Sequence, residues 1–258
     1  MYKKELEAAI QAARNAIPGI MKIYNTPFDV EIKEDNSPVT LADKGADELI
    51  RNYLHSLFPE YGMLTEESDD DLSRLSKEFI WIVDPVDGTK DFVAKDDEFT
   101  TNIGLAHNGK VVVGVVALPA TGEIYYASKG DGAYYDNGKG EVKRIHVNDK
   151  LEGLTMLTSR FHVSEKEHDY VKAHSDKITK VETYGSALKA CRIASGLAEI
   201  SVRFNNGTKE WDTAASQCVI EEAGGLFIKP NGEPLTYNRE DVYNREGYYI
   251  INRIENKL

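Results

Sequence analysis

The stretch from Phe79 to Phe92 constrains this chain more than any other. Phe79-Ile80-Trp81-Ile82-Val83 is a short, continuous apolar run, the pattern of a strand buried on both faces of a sheet. It stops at two carboxylates, Asp84 and Asp87, with Pro85 and Val86 between them. Pro85 fixes its own φ and biases Asp84 toward extended backbone, so no helix begins there. Gly88 and Thr89 follow. Glycine lets the backbone approach a ligand closely, and free N–H groups opening a helical turn favour a phosphate. Hard anionic oxygens, a tight turn and backbone donors together suit Mg²⁺ bridged to a phosphate. An ordinary strand-to-turn junction, where Asp and Gly are common, fits this segment equally well.

A chain of 258 residues forms one large domain or two tightly joined ones, with room for a substantial core. We divide it into an N-terminal α+β half, 1–135, and a C-terminal α/β half, 136–258. No long uncharged apolar run predicts an integral membrane segment. The acidic residues among 1–25, and the lack of a continuous apolar run there, argue against a signal peptide. The net charge of −12 argues against a nucleic-acid polymer or an anionic membrane surface as partner. It leaves room for a small anionic substrate, because bound divalent cations reverse the local sign of a carboxylate-lined site. Cys191 and Cys218 lie in helical patterns without disulfide-framework spacing and read as reduced core thiols of a cytosolic protein, a buried disulfide being the alternative. Peripheral membrane association stays open, as does the choice between monomer and homodimer.

Helical spacing runs over residues 2–24, where Pro18 is expected to kink the helix or begin a new segment. Residues 33–38 form a polar loop with turn chemistry. A second amphipathic helix follows from Ala42 to Leu57, with Thr40 and Asp43 at the spacing of a capping box. Met63-Leu64-Thr65 is a short strand running into Glu66 and Glu67, and residues 68–76 read as a mobile acidic loop. Residues 99–106, 111–118, 123–128 and 132–135 read as an antiparallel meander. A connection at 140–153 leads to a strand at 154–158. Helices at 164–174, 186–195 and 211–222 alternate with strands at 178–183, 198–204, 226–229 and 248–252, and Gly224-Gly225 ends the last helix. The sum is a layered α+β architecture with helices on sheets in both halves.

Four acids stand at element ends, where loops gather: Glu66, Asp84, Asp87 and Asp212. Singly, each is explained as a surface carboxylate, a turn former or an N-cap. Together they suit two or three Mg²⁺ ions with a backbone carbonyl and water. Asp84-Pro85-Val86-Asp87-Gly88-Thr89 resembles the first signature of the inositol monophosphatase superfamily of Mg²⁺-dependent, Li⁺-sensitive phosphatases. Trp211-Asp212-Thr213-Ala214-Ala215, with Glu222-Ala223-Gly224-Gly225, resembles the second, and the resemblance spans most of the chain. It implies the layered αβαβα sugar-phosphatase fold. It also implies one metal held by Glu66, Asp84 and the Val86 carbonyl, a second held by Asp84, Asp87 and Asp212, and a third, weaker one near Glu66.

Other segments are similar to the 3′(2′),5′-bisphosphate nucleotidase branch: Ser37-Pro38-Val39-Thr40-Leu41-Ala42-Asp43, Gly88-Thr89-Lys90-Asp91-Phe92, Ser159-Arg160-Phe161-His162, Gly185-Ser186-Ala187-Leu188-Lys189-Ala190-Cys191 and Arg203-Phe204. Asn205-Asn206-Gly207-Thr208 departs from the branch's Gly-Pro-Thr and is one residue longer. The implied catalytic residues are Asp43, Thr89 and Glu66, with Thr89 hydrogen-bonded to Asp43 to orient water. Asp87, Gly88, Thr89, His162, Ser186, Lys189, Arg203 and Asp212 are the implied substrate contacts. A substrate with two phosphates needs cations beyond the metals, which Lys189 and Arg203 supply, while His162 offers a donor or a stacking face. Taken singly these are a surface Lys, a surface Arg and a capping or core His, and Asp43 is a helix-start acid. The implied reaction is hydrolysis of the 3′-phosphate of 3′-phosphoadenosine 5′-phosphate, with its sulfate-carrying analogue as a second substrate. The alternatives are a phosphatase for inositol monophosphate, histidinol phosphate or a sugar bisphosphate, and a regulator on a catalytically dead scaffold.

Overall fold

In the computed structural model, which describes residues 1–32, 38–205 and 207–258, the chain opens with α1 (Lys3–Tyr24). This helix continues through Pro18, so no new segment begins there. Proline removes the donor that would meet the Arg14 carbonyl. Arg14, Pro18 and Gly19 all lie on the exposed face, where water can take that oxygen, while Ala9, Ala12, Ala16 and Ile20 bury the other face. β1 (Glu31–Ile32) and β2 (Pro38–Val39) pair antiparallel, and the polar loop expected at 33–38 lies, up to residue 37, outside the described residues. α2 (Leu41–Leu57) starts at a capping box in which Thr40 N–H donates to Asp43 Oδ2 at 2.8 Å.

β3 (Gly62–Thr65), β4 (Phe79–Asp87), the short α3 (Thr89–Ala94), β5 (Thr100–His107), β6 (Lys110–Leu118), β7 (Glu123–Ser128), β8 (Gly132–Asp136) and β9 (Val142–Ile145) follow. The strands form a seven-stranded sheet in sequential order, parallel only between β3 and β4. Two expectations are corrected here. Residues 68–76 are not a free loop: Ser73–Ser76 forms a 3₁₀ turn whose Arg74 is buried and ion-paired to Asp70 at 2.7 Å. The connection at 140–153 contains β9, an edge strand whose Val142, Lys143 and Arg144 are exposed and give it no apolar alternation; charge on an edge also blocks pairing with other chains.

The second sheet is built from β10 (Leu154–Ser159), then α4 (Glu165–Ala173), β11 (Ile178–Tyr184), α5 (Leu188–Ala194), β12 (Ile200–Arg203), α6 (Glu210–Glu222), β13 (Leu226–Ile228) and β14 (Tyr248–Ile251), with strand order β11-β10-β12-β14-β13. Alternation along β4 explains its continuous apolar run. Trp81 and Val83 enter a core with α1 and α2, while Ile80 and Ile82 enter a second core with α5 and α6. Leu157 and Phe227 join that second core from the other sheet, and Leu154 and Met156 face Tyr170 of α4. The layers therefore run α1/α2, seven-stranded sheet, α5/α6, five-stranded sheet, α4. α6 lies so close to the large sheet that a Cβ on Gly114 would sit 2.2 Å from the Ala215 carbonyl oxygen. Small residues in Thr213-Ala214-Ala215 permit that approach. Glu222 is structural: its two oxygens accept from the backbone N–H of Gly130 and Gly132 at 3.0 and 2.9 Å, fastening the β7–β8 turn to the end of α6. Cys191 and Cys218 are buried free thiols. No helix among the described residues is long and apolar enough to cross a membrane.

Candidate metal and substrate site

Asp84 pairs with Asn102 and Asp87 with Thr100, so three steps along β4 match two along β5. On a regular strand, residues three apart point to opposite faces. The extra residue is a bulge, which returns both carboxylates to one side; the Thr101 hydroxyl donates to the Pro85 carbonyl at 2.9 Å within it. The chain then turns through Gly88 at φ +86°, where a Cβ would lie 2.3 Å from Ser186 Oγ. Only glycine meets both demands. Asp212 arrives from the opposite direction in the first turn of α6, beside the core residue Trp211.

Carboxylate oxygens of Asp84, Asp87 and Asp212 lie within 4.8 Å of one another. One oxygen of Asp87 is committed to protein: Oδ2 accepts from Ala187 N–H at 2.9 Å, Asn102 Nδ2 at 3.1 Å and Thr100 Oγ1 at 3.4 Å. Asp212 Oδ2 accepts from Lys209 N–H at 2.6 Å. Burial, then Glu66 and the other two acids, raises Asp84 well above the usual carboxylate range. Burial and the charges of Asp87 and Glu66 push Asp212 up to about 8. Burial also raises Asp87, against the pull of Lys189. Buried carboxylates that repel one another this strongly call for a cation, and all-oxygen donors fit a hard divalent ion.

These acids line a cleft of about 480 Å³. Glu66, Val86, Gly88, Thr89, His162, Ser186, Lys189 and Arg203 line it with them. Asp43 lies behind Thr89, 1% exposed, and accepts from the Thr89 hydroxyl at Oδ1 at 3.3 Å while its Oδ2 caps α2. The helix-start and site readings of Asp43 thus coexist, one on each oxygen. Burial raises this carboxyl.

Ser186 and Lys189 also serve the loop itself. The Ser186 hydroxyl donates to the Asp87 carbonyl at 2.7 Å, and Lys189 Nζ donates to the Ser186 and Tyr184 carbonyls at 2.7 and 3.3 Å. Burial lowers Lys189 to about 8, with Asp87 opposing the shift. Arg203 Nη1 donates to the His162 carbonyl at 2.8 Å. Desolvation, then Lys90, Arg203 and Lys189, push His162 down to about 4, so the ring is neutral near pH 7. Arg160 pairs with Glu98, Asp96 and Asp91 at 2.5, 3.1 and 3.6 Å, anchoring the segment that carries His162. Asn205, Gly207 and Thr208 border the cleft; Asn206 lies outside the described residues.

The family model for inositol monophosphatases matches residues 1–254. The chain belongs to the inositol monophosphatase family. Among its relatives in that family is the 3′(2′),5′-bisphosphate nucleotidase CysQ of Escherichia coli K12, 36% identical over 248 residues that cover 95% of this chain and 98% of that protein. A histidinol-phosphatase of Chlorobaculum parvum is 31% identical, covering 96% and 92%. The crystal structure of CysQ from Bacteroides thetaiotaomicron superposes with a TM-score of 0.86 at 34% identity, covering 98% of this chain and 99% of that one. Membership places the chain among the phosphatase hydrolases, with the layered fold of that family.

Within this frame the motifs did not point to Thr100 and Asn102, which hold Asp87. Their signal was present: Thr100-Thr101-Asn102 is a polar triplet at the head of an otherwise apolar strand, and all three are buried. Lys90 is a further cleft residue outside the substrate set.

Proposed function

We propose that this member of the family hydrolyses the 3′-phosphate of 3′-phosphoadenosine 5′-phosphate, giving AMP and phosphate, with Mg²⁺ as its ion, two or three per site, and that it works in the cytoplasm. One observation carries the reading: the cleft that holds the acid cluster is also lined by Lys90, Lys189 and Arg203. A monoester needs only the acids with their metal. A second phosphate on the substrate finds its partners among these cations. The Escherichia coli relative named as a bisphosphate nucleotidase supports the same substrate.

Glu66, Asp84, the Val86 carbonyl, Asp87 and Asp212 are the residues that would hold the metal. Mg²⁺, when bound, supplies charge neutralisation for the phosphate, acidification of water and stabilisation of the leaving oxygen. The Thr89 hydroxyl gives its proton to Asp43 in a hydrogen bond, so its lone pairs are free to receive one from the attacking water. That water is thereby oriented toward phosphorus. As its oxygen bonds to phosphorus, the bond to O3′ breaks; the proton the water loses passes to Thr89 as Thr89 passes its own to Asp43, and the leaving O3′ takes a proton from solvent water. The neutral His162 adds no charge beside Lys90, Arg203 and Lys189 and offers its ring to the base.

The test is a panel of phosphate esters with released phosphate as readout, each with and without EDTA. The bisphosphate nucleotide should be turned over fastest, and chelation should abolish all turnover. Undiminished hydrolysis in metal-free buffer would remove the metal reading. The histidinol-phosphatase relative makes the monoesters the informative competitors, and faster hydrolysis of histidinol phosphate or inositol 1-phosphate would move the assignment to that branch.

The cations of the cleft make their own prediction. Losing a charge-assisted hydrogen bond costs about 1.5–3 kcal/mol, roughly ten- to a hundredfold. Arg203→Ala should reduce kcat/KM for the bisphosphate by that order and barely affect inositol 1-phosphate. Lys189→Ala should do the same but also depress the monoester, because Lys189 opposes the charge of Asp87. Equal losses on both substrates for Arg203→Ala would assign Arg203 to the loop it holds at His162.

A further inference from the structure

Two buried charges outside the cleft link the elements that carry the acids. Arg74, in the 3₁₀ turn between β3 and β4, is 2% exposed, and Glu210, the first residue of α6, is 0% exposed. Neither lines the cleft. Arg74 donates Nε and Nη2 to the Asp70 carboxylate at 3.0 and 2.7 Å. Its other donors cross to a segment more than 160 residues away, to Asn238 Oδ1 and the Arg239 carbonyl, both at 2.9 Å. Asn238, at φ +60°, returns a hydrogen bond from Nδ2 to the Arg74 carbonyl at 3.2 Å.

The same two residues hold Glu210. The N–H groups of Asn238 and Arg239 donate to Glu210 Oε2 and Oε1 at 2.8 and 2.9 Å, and Arg239 Nε donates to Oε1 at 3.1 Å. Arg239 spends its remaining donors on the Tyr243 and Val242 carbonyls and on Asn244 Oδ1, at 3.0, 3.1 and 2.8 Å. Asn244 in turn donates to the Lys209 carbonyl at 3.0 Å. The first turn of α6 is thus bonded on two sides to a segment that is itself bolted to the β3–β4 connection.

We infer that Arg74, Asn238, Arg239 and Glu210 are positioning residues that set Asp212 against the sheet end bearing Glu66 and Asp84, and so set the Mg²⁺ affinity of the centre. The inference rests on the ligand roles proposed above for those acids. Packing of Ala214 and Ala215 on the sheet fixes how close α6 lies. Packing of small apolar residues does not fix where its first turn sits along the helix axis, whereas directional hydrogen bonds to a buried carboxylate do. Ligand acids must be placed to within a few tenths of an ångström for tight binding, and partners that orient them typically change metal affinity roughly 10- to 100-fold when removed.

The test is calorimetric Mg²⁺ titration of the full chain, with kcat read at saturating Mg²⁺ alongside. Glu210→Gln keeps the shape but turns an amide NH₂ toward one of three N–H donors. It should weaken Mg²⁺ binding about tenfold, while kcat at saturating Mg²⁺ stays within about threefold of wild type. Asp70→Asn, at a more exposed site, should shift the isotherm less and in the same direction, and it decides the matter by itself if Glu210→Gln does not fold. Unchanged isotherms with a lowered melting temperature would overturn the inference and make the network purely structural. Wild type and Asp212→Asn are titrated in parallel. If wild type takes up no Mg²⁺, or Asp212→Asn binds it as wild type does, the ligand reading falls and this inference with it. If those two behave as proposed and Glu210→Gln matches wild type, this inference alone fails.

Discussion

Asp87→Asn and Asp212→Asn are each expected to lower turnover by about 10³-fold or more at ordinary Mg²⁺ while the protein stays folded. That is the effect of losing several kcal/mol of charge stabilisation at the transferring phosphate. The hydrogen bonding makes the asparagine replacements harsher than a simple loss of charge. Oδ2 of each aspartate receives backbone N–H, from Ala187 in one case and Lys209 in the other. An asparagine must keep its carbonyl oxygen there, so its NH₂ group turns into the cleft and presents a donor where a cation needs an acceptor.

The metal-free protein should behave in the opposite way. Asp212 is pushed up to about 8 by burial and by its acidic neighbours, so in the folded chain it holds its proton more firmly than when unfolded. A raised carboxyl pKa favours the fold at low pH, and that advantage is lost as pH rises from the ordinary carboxylate range toward 8. Asp212→Asn removes that loss. In EDTA its melting temperature should decline less than that of wild type between pH 5 and pH 8. Melting curves with and without Mg²⁺, beside kcat, check both halves. Near-wild-type turnover in either variant would overturn its ligand role.

Thr89→Ala is expected to depress kcat by roughly 10²–10⁴-fold with little change in substrate affinity, because a positioned proton acceptor acts in the transition state. Thr89→Ser should restore much of it. Asp43→Asn should come close to the alanine variant for a structural reason. Asp43 Oδ2 accepts from the Thr40 N–H and hydroxyl at 2.8 and 2.6 Å, and Oδ1 accepts from Thr89. Asparagine must leave its oxygen toward Thr40 N–H, so its NH₂ faces Thr89 and reverses that hydrogen bond. The Thr89 hydroxyl then accepts from an amide and has no carboxylate to pass a proton to, and its own proton turns to the Val86 carbonyl at 3.4 Å. The double variant should be far less than multiplicative, since the two act as one unit. Fully multiplicative losses would show that they work independently.

Much of this protein is legible in its residues alone. The apolar run ending in Asp84 and Asp87 is decided locally, because a strand buried on both faces must be apolar throughout and a Pro-Val-Asp-Gly sequence must end it in a turn. The helices are equally local, since Thr40, Ser164 and Gly224 mark their ends by bonds made within a few residues. Asp212 is visible as an acid that opens a helix, and through the resemblance of Trp211-Asp212-Thr213-Ala214-Ala215 to the family's second signature.

What tertiary structure decided is which of several equivalent atoms faces the cleft. Asp84 and Asp87 reach one side only through the bulge against Asn102 and Thr100, a matter of register between strands. Ser186 and Lys189 read as substrate contacts in sequence and Arg160 only as part of a similar segment, yet Ser186 is engaged by the Asp87 carbonyl, Lys189 by carbonyls of its own loop and Arg160 by acids from a distant segment. Pro18 sits in an unbroken helix because its freed acceptor faces water. β9 is a strand because a neighbour offers it hydrogen bonds, with little apolar alternation of its own. The link from Arg74 through Asn238 to Glu210 joins residues that no local pattern relates. Local sequence encodes dihedral preference and which face is apolar, whereas a hydrogen bond across the fold depends on distances that exist only once the layers have packed.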